Sequence, residues 1–304
     1  MKIYIIGGAN IDITGKPLKT LILKDSNPGS ISLSFGGVAR NIAENLARLG
    51  HKPLFISAFS NDMFGLSMLK HLENLGVNIK YSLVVKQAST STYLALLNEK
   101  NDMEIAVSDT AILKNLTPRY LAPLIKKITN QDLVVLDTNL ETKTLDYIFK
   151  NCKAKIIVDP ISTTKALKVK PYLKYIYAIK PNIYEAEALT GLKLNNRKDI
   201  KKAADVLHAK GVTKVFISLG KMGAYGSYLN ENFLLTTGNI HIKSATGAGD
   251  AFMAGIVDSE TINKGLIETL KFATGCSLIT LQSLKTVSDK ISQKNVLKQM
   301  KRKR

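Results

Sequence analysis

The chain has 304 residues, of which 45% are hydrophobic and 22% charged. That balance excludes a disordered, collagen-like or disulfide-stapled protein. The 43 Lys+Arg against 24 Asp+Glu give a formal charge of +19, but 37 of these cations are Lys and only 6 are Arg. Readers of base edges rely on Arg forks. Trp is absent and aromatics are 7%, so the dispersed Lys reads as solvated surface and no specific nucleic-acid partner is expected. Cys152 and Cys276 are far apart and form no C-x-x-C pair, which argues against a zinc or redox site. The apolar start is too short for a signal peptide, and no stretch of about 18 apolar residues exists. The expectation is a cytoplasmic protein without a membrane span.

In chain order, residues 3–8 read as a buried strand. Residues 16–35 have scattered apolar positions and turn chemistry at Asn27-Pro28-Gly29, which predicts β structure outside the main sheet. Val38, Ile42, Ala43, Leu46 and Leu49 recur at helical spacing and predict a helix over 37–49, ended by Gly50. A strand over 54–59 and a helix over 62–75, closed by Gly76, follow. Residues 91–109 alternate in places and predict a second β piece. Further along come a helix over 117–128 and strands over 133–136, 156–158 and 175–179. A helix over 197–209 and a strand over 215–219 complete this part. A strand-like segment, 238–243, precedes a helix reaching Ile256 or Val257. The last seven residues, 298–304, hold five cations and read as a frayed tail. Strands separated by helices mean βαβ units, a mainly parallel sheet and helices on both faces.

Five motifs carry chemistry. Thr246-Gly247-Ala248-Gly249-Asp250 opens a helix. Its free amides and dipole form an anion site, and Asp250 beside it suits a general base for a hydroxyl attacking a phosphoryl group. An Asp in a first turn also simply favours the dipole. Gly36 and Gly37 open a second helix, with Asn41 placed to hold a sugar hydroxyl. Asn10 and Asp12 follow the first strand, where ligands of open α/β sheets bind. Asn182 and Glu185 fit a capping box and equally an arrangement that organises hydrated Mg²⁺. Ser218, Gly220 and Gly223 form a strand-turn-strand suited to close packing on a nucleotide. No P-loop and no G-x-G-x-x-G follows the first strand.

Together and in this order, these motifs resemble the PfkB/ribokinase family of carbohydrate and nucleoside kinases, over nearly the whole chain. The finer match is to its pseudouridine-phosphorylating branch. It rests on Asp25-Ser26-Asn27-Pro28-Gly29, Gly36-Gly37-Val38-Ala39-Arg40-Asn41, Asp137-Thr138-Asn139 and Val158-Asp159-Pro160. The resemblance implies an α/β fold, a ribokinase-like three-layer α/β/α sandwich with a small β lid. It implies one kinase domain over 1–304, with the lid made from about 12–35 and 84–112. Asp250 would be the catalytic base, and Gly247, Ala248 and Gly249 would serve the transferring phosphoryl group. Asn10, Asp12, Gly36, Gly37, Asn41, Thr92 and Asn139 would hold the nucleoside, with Ser91 and Tyr93 nearby in the lid. ATP would meet Asn182, Ser218, Gly220, Gly223, Thr246 and Gly249, flanked by residues 273–277. Mg²⁺ would meet Glu185 and Asn182. Another nucleoside, or ribose, is the alternative substrate, and a homodimer through the lid is the implied partner. Ser244 stands where many relatives carry the Asp of a monovalent-cation site, so that requirement is left open.

Overall fold

The computed structural model describes residues 1–301 apart from Asn101 and Asn239. Strands β1 (Ile3–Ile6), β2 (Asn10–Pro17) and β3 (Gly29–Gly36) lead into helix α1 (Val38–Arg48). Next come β4 (Leu54–Ile56), β5 (Ala58–Ser60), α2 (Met63–Asn74), β6 (Leu83–Val85), β7 (Thr92–Leu97) and β8 (Met103–Asp109). The middle of the chain forms α3 (Pro118–Ile125), β9 (Leu133–Asp137), α4 (Thr142–Asn151), β10 (Lys155–Asp159) and α5 (Thr163–Ala166). It continues through β11 (Ile176–Ile179), α6 (Ile183–Thr190) and α7 (Arg197–Ala209). Last are β12 (Lys214–Ser218), β13 (Ala224–Tyr228), β14 (Glu231–Leu235), α8 (Ala248–Thr261), α9 (Leu266–Leu281) and α10 (Gln293–Lys301).

Eight strands form the main sheet in the order β14-β13-β12-β11-β10-β9-β1-β4. From β12 to β4 every pairing is parallel, and only β13 and β14 are antiparallel additions. Successive side chains on a strand point to opposite faces, and here both faces are buried. Tyr4, Ile6, Val134, Leu136 and Val158 enter one core, with α3, α4, α6 and α7 above them. Ile3, Ile5, Val135, Ile157 and Phe216 enter the other, covered by α1, α2, α8 and α9. This is the expected three-layer sandwich, and it explains the unbroken apolar runs. Helix α8 is buried along most of its length. A Cβ on Gly255 would lie 2.5 Å from the Ala273 Cα, so glycine lets α8 and α9 approach closely.

A second, four-stranded sheet has the order β3-β2-β7-β8. β2 pairs antiparallel with β3, from Asn10 opposite Gly36 to Pro17 opposite Gly29, and parallel with β7. Strands β3, β7 and β8 fall in the two stretches whose patterning departs from the βαβ rhythm, whereas β2 lies almost wholly before the first of them.

Three local expectations are corrected. The strand over 54–59 is two strands, because the chain changes partner at Ser57. There its amide donates to Ser82 Oγ (3.2 Å) and its carbonyl accepts from Leu83 N (2.8 Å). β4 therefore stays with β1 while β5 pairs with β6. The described residues of 238–243 form no strand; the Lys243 amide instead donates to the Leu281 carbonyl at the end of α9 (2.8 Å). The basic tail is helical as far as Lys301, where Val296 is buried in the second core; residues 302–304 lie outside the described residues.

Candidate active site

The glycine turn at the start of α8 lies between two environments. Gly247 caps the helix with φ +80, a left-handed conformation that side chains resist. A Cβ there would also lie 1.9 Å from the Thr286 carbonyl oxygen. The first i→i−4 bond of the helix runs from Ala251 N to Gly247 O (3.0 Å), so the preceding amides stand at the positive end of the dipole. On one side, Ala248 and Gly249 line a cavity of about 520 Å³, within the usual range for a small-molecule pocket. Ser218, Gly220 and Gly223 line it from the β12–β13 turn, and Thr274 and Ser277 from α9. Gly223 has φ +106, and a Cβ there would meet the Leu235 carbonyl oxygen at 1.9 Å.

On the other side, Asp250 turns toward α1. Asn41 Nδ2 donates to its Oδ2 at 2.6 Å, joining residues 209 positions apart. Burial is the main cause that raises the Asp250 carboxyl, and the negative charge of Asp159 adds to it. The Asn41 hydrogen bond, Lys180 and Arg40 oppose the shift, and the result is a carboxyl pushed up to about 7. A base poised there can exchange a proton near neutrality.

The α1 side is equally crowded. Gly37 caps α1 with φ +96, and a Cβ there would meet the Ala9 Cα and Gly8 O at 2.6 Å. A Cβ on Gly36 would lie 2.4 Å from both Asp12 carboxylate oxygens. Asn10 Nδ2 donates to Asp12 Oδ1 (2.5 Å). Burial raises the Asp12 carboxyl, partly offset by that bond and by Arg40. Thus Asn10, Asp12, Gly36, Gly37, Asn41 and Asp250 converge. In the four-stranded sheet, Asp12 pairs with Tyr93, whereas Thr92 pairs with Ile11 and donates its hydroxyl to the Thr90 carbonyl (3.0 Å). Paired residues share a face, so Tyr93 rather than Thr92 stands on the Asp12 face. The buried Ser91 hydroxyl has no hydrogen-bond partner among the described residues.

Asn139 follows β9 and donates to Asp137 through its amide N (3.0 Å) and Nδ2 (3.1 Å), while Lys165 Nζ donates to its Oδ1 (2.5 Å). Asn182 caps α6 and pairs through its backbone with Ser218 at the cavity rim. Both Glu185 carboxylate oxygens accept from Asn182, from its N at 2.9 Å and its Nδ2 at 2.8 Å. No group of three His, Cys, Asp or Glu side chains gathers as a metal centre among the described residues. Such a donor set suits an ion that keeps its own waters, as Mg²⁺ does. Thr246 lies just before the helix and its amide donates to Ser244 Oγ (3.2 Å).

Four further groups belong to this constellation, and the motif reading gave them no role. Lys180 is 6% exposed, pairs with Asp159 (3.1 Å), and its Nζ lies 3.3 Å from where a Gly249 Cβ would be. Burial opposes its charge, but Asp159, Glu185 and Asp250 outweigh that and hold its pKa up. Asp137 accepts from Gly8 N (2.8 Å) and Ala39 N (3.1 Å), which ties β9 to the start of α1. Arg40 is buried beside Asn41. A usable signal existed for the two acids: β9 and β10 are apolar parallel strands that each end in Asp, at the end where ligands bind.

A sequence profile of the pfkB family carbohydrate kinases matches residues 1–293. The chain belongs to this family. Members are phosphotransferases that act on hydroxyl groups, and so is this protein. It is 37% identical to the pseudouridine kinase of Escherichia coli (strain K12) over 297 residues, 97% of this chain and 95% of that one. A crystal structure of a Clostridium perfringens protein superposes with a TM-score of 0.89 at 32% identity, covering 99% of this chain and 96% of the other. Arabidopsis thaliana ribokinase, solved with ribose and ATP, shares the fold with a TM-score of 0.84 at 21% identity, covering 99% and 98%. Among the described residues, no helix is long and apolar enough to cross a membrane.

Proposed function

We propose that this pfkB-family kinase transfers the γ-phosphoryl group of ATP to the ribose 5′-hydroxyl of pseudouridine, giving pseudouridine 5′-phosphate and ADP. The observation that carries the chemistry is the start of α8, with a cavity on one side and the Asn41–Asp250 contact on the other. The choice of nucleoside is supported by the likeness to the E. coli pseudouridine kinase over almost the full length of both chains.

In this reading ATP occupies the 520 Å³ cavity, against Ser218, Gly220, Gly223 and Gly249, with Asn182 and Thr246 at its edge. The ribose lies against Asn10, Asp12, Gly36, Gly37 and Asn41, with Asn139 beyond them. The 5′-oxygen attacks the γ-phosphorus, its proton passes to Asp250, and the bond to the β-phosphate oxygen breaks. Gly247, Ala248 and Gly249 offer amides to the transferring group, and Lys180 adds a cation. Positioning and charge stabilisation dominate such transfers. Mg²⁺, organised through waters by Glu185 and Asn182, neutralises phosphate charge when bound. A monovalent cation has no assigned place, since Ser244 stands at that position. These substrates and the free thiols of Cys152 and Cys276 fit a cytoplasmic enzyme.

The four-stranded sheet acts as the lid of one kinase unit, with its polar face inward. Its other face carries Leu33, Ile13, Leu94 and Val107 in one row and Ile31, Leu96 and Ile105 in the next. Most of these are exposed, and contiguous apolar surface of this kind marks an interface. A second copy of the chain covers it. Light scattering is expected to give a dimer, and Leu94→Lys with Ile105→Lys a monomer; a wild-type monomer at micromolar concentration contradicts the dimer.

The substrate is tested with Mg-ATP and a competition panel of pseudouridine, uridine, inosine, adenosine and ribose. Pseudouridine is expected to have the highest kcat/KM. Turnover of another panel member with none on pseudouridine would overturn the substrate while leaving the kinase intact.

A further inference from the structure

Neighbouring residues on a helix point away from each other. Arg40 and Asn41 depart from this: Arg40 Nη2 bends round to donate to Asn41 Oδ1. The Arg40 side chain is 2% exposed and each of its three nitrogens donates inside the protein. Nε donates to the Gly36 carbonyl (3.2 Å), Nη2 to the Phe35 carbonyl (2.6 Å), and Nη1 to Glu44 Oε2. Phe35 and Gly36 end strand β3 of the lid, so one guanidinium grips the lid strand and the first turn of α1 together.

The contact decides which way the Asn41 amide faces. An amide presents an acceptor oxygen and a donor NH₂. A guanidinium only donates and an ionised carboxylate only accepts. Between Arg40 and an ionised Asp250, one orientation satisfies both: oxygen to Arg40, NH₂ to Asp250. That NH₂ occupies Asp250 Oδ2, which leaves Oδ1 to take a proton. The reversed amide would set an oxygen against the carboxylate and disfavour its charge.

We infer that Arg40 is a positioning residue: it fixes the Asn41 amide toward Asp250 and couples that orientation to the lid strand through Phe35 and Gly36. This rests on the reading of Asp250 as the base. The charges that face Asp250 are Asp159 from β10, Lys180 from the end of β11 and Arg40 from α1. Glu44 is not left alone when Arg40 is removed, since Arg48 (2.7 Å) and His71 (3.2 Å) still pair with it.

The test compares wild type, Arg40→Met, Arg40→Lys and Asp250→Asn for kcat, KM, thermal stability and the acid limb of the kcat profile. Arg40→Met frees the amide to reverse, and kcat is expected to fall about 100-fold with KM for ATP changed less than about threefold. Asp250 loses a cation and an oriented donor, so its pKa rises and the acid limb moves to higher pH. Arg40→Lys keeps the charge but not the fork, and kcat is expected to fall about tenfold with a smaller move of the limb. If Arg40→Met does not fold, Arg40→Lys decides alone. The inference is overturned if a folded variant keeps kcat within about twofold, or loses activity with the acid limb unmoved. Asp250→Asn separates the two readings: an active Asp250→Asn removes the base assignment itself. An inactive Asp250→Asn beside unaltered Arg40 variants removes only the role of Arg40.

Discussion

Helices α1 and α8 both open on a glycine at positive φ, Gly37 and Gly247, and both bring a polar side chain to the same point. Beyond that turn they are built oppositely. Helix α8 is mostly apolar and buried, and its opening faces a cavity through Ala248 and Gly249. Helix α1 buries Arg40, Asn41, Glu44 and Asn45, which are linked by hydrogen bonds along its first turns, although Asn45 Oδ1 has no partner among the described residues. One opening faces a cavity while the other is packed with hydrogen bonds that hold a geometry. The difference shows that a glycine turn alone does not mark a reaction centre; what its helix does with the next few residues decides.

The largest expected effect comes from Asp250→Asn. Turnover is expected to fall about 1,000-fold or more, as loss of a general base does, while calorimetry shows nucleoside binding within a few-fold of wild type. The equivalent change on the crowded helix, Asn41→Ala, is expected to lose less turnover and more nucleoside affinity. A reversed ranking would break the comparison.

Next in size are the glycines themselves. Gly247→Ala places a methyl 1.9 Å from a carbonyl oxygen, in a left-handed conformation. Gly37→Ala meets backbone at 2.6 Å. Each is expected to cost about 3 kcal/mol or more in denaturant unfolding. Gly220 also has positive φ but faces open space, so Gly220→Ala is expected to cost only about 1 kcal/mol.

A stability effect separates α1 from α8 by pH. Burial alone would raise the Glu44 carboxyl. The His71 hydrogen bond and the Arg40 and Arg48 guanidiniums outweigh it and hold the carboxyl at about 2, below its usual 4.5. A depressed carboxyl stabilises the fold above its unfolded value, and the contribution is lost as pH falls toward 2. Glu44→Gln is therefore expected to lose about 3 kcal/mol at neutral pH, and the gap to wild type should narrow in acid melts. A gap that is constant with pH would show that Glu44 acts through packing instead.

Much of the α8 opening was legible, because small residues, glycine and an acid in sequence state their chemistry locally. The sheet was legible too, since strands buried on both faces need unbroken apolar runs such as Leu133–Asp137. The α1 network was not. Arg40 and Glu44 look like an ordinary exposed i,i+4 pair, and only packing against β3 and α2 buries them. Lys180 and Asp159 were hidden for a similar reason: their pairing depends on β10 and β11 lying side by side. Which of Thr92 and Tyr93 shares the Asp12 face depends on the register of β7 against β2, and a one-residue slip reverses it.

Whether Asp250 takes the proton of the accepting hydroxyl is tested most directly by the acid limb of the kcat/KM profile with pseudouridine, which reports groups of the free enzyme. A base must be ionised to act, so a carboxyl raised to about 7 predicts a kcat/KM that falls as pH drops below about 7. The residual activity of Asp250→Asn is predicted to lack that limb. A wild-type kcat/KM that stays level down to about pH 5, in enzyme that remains folded, would contradict it.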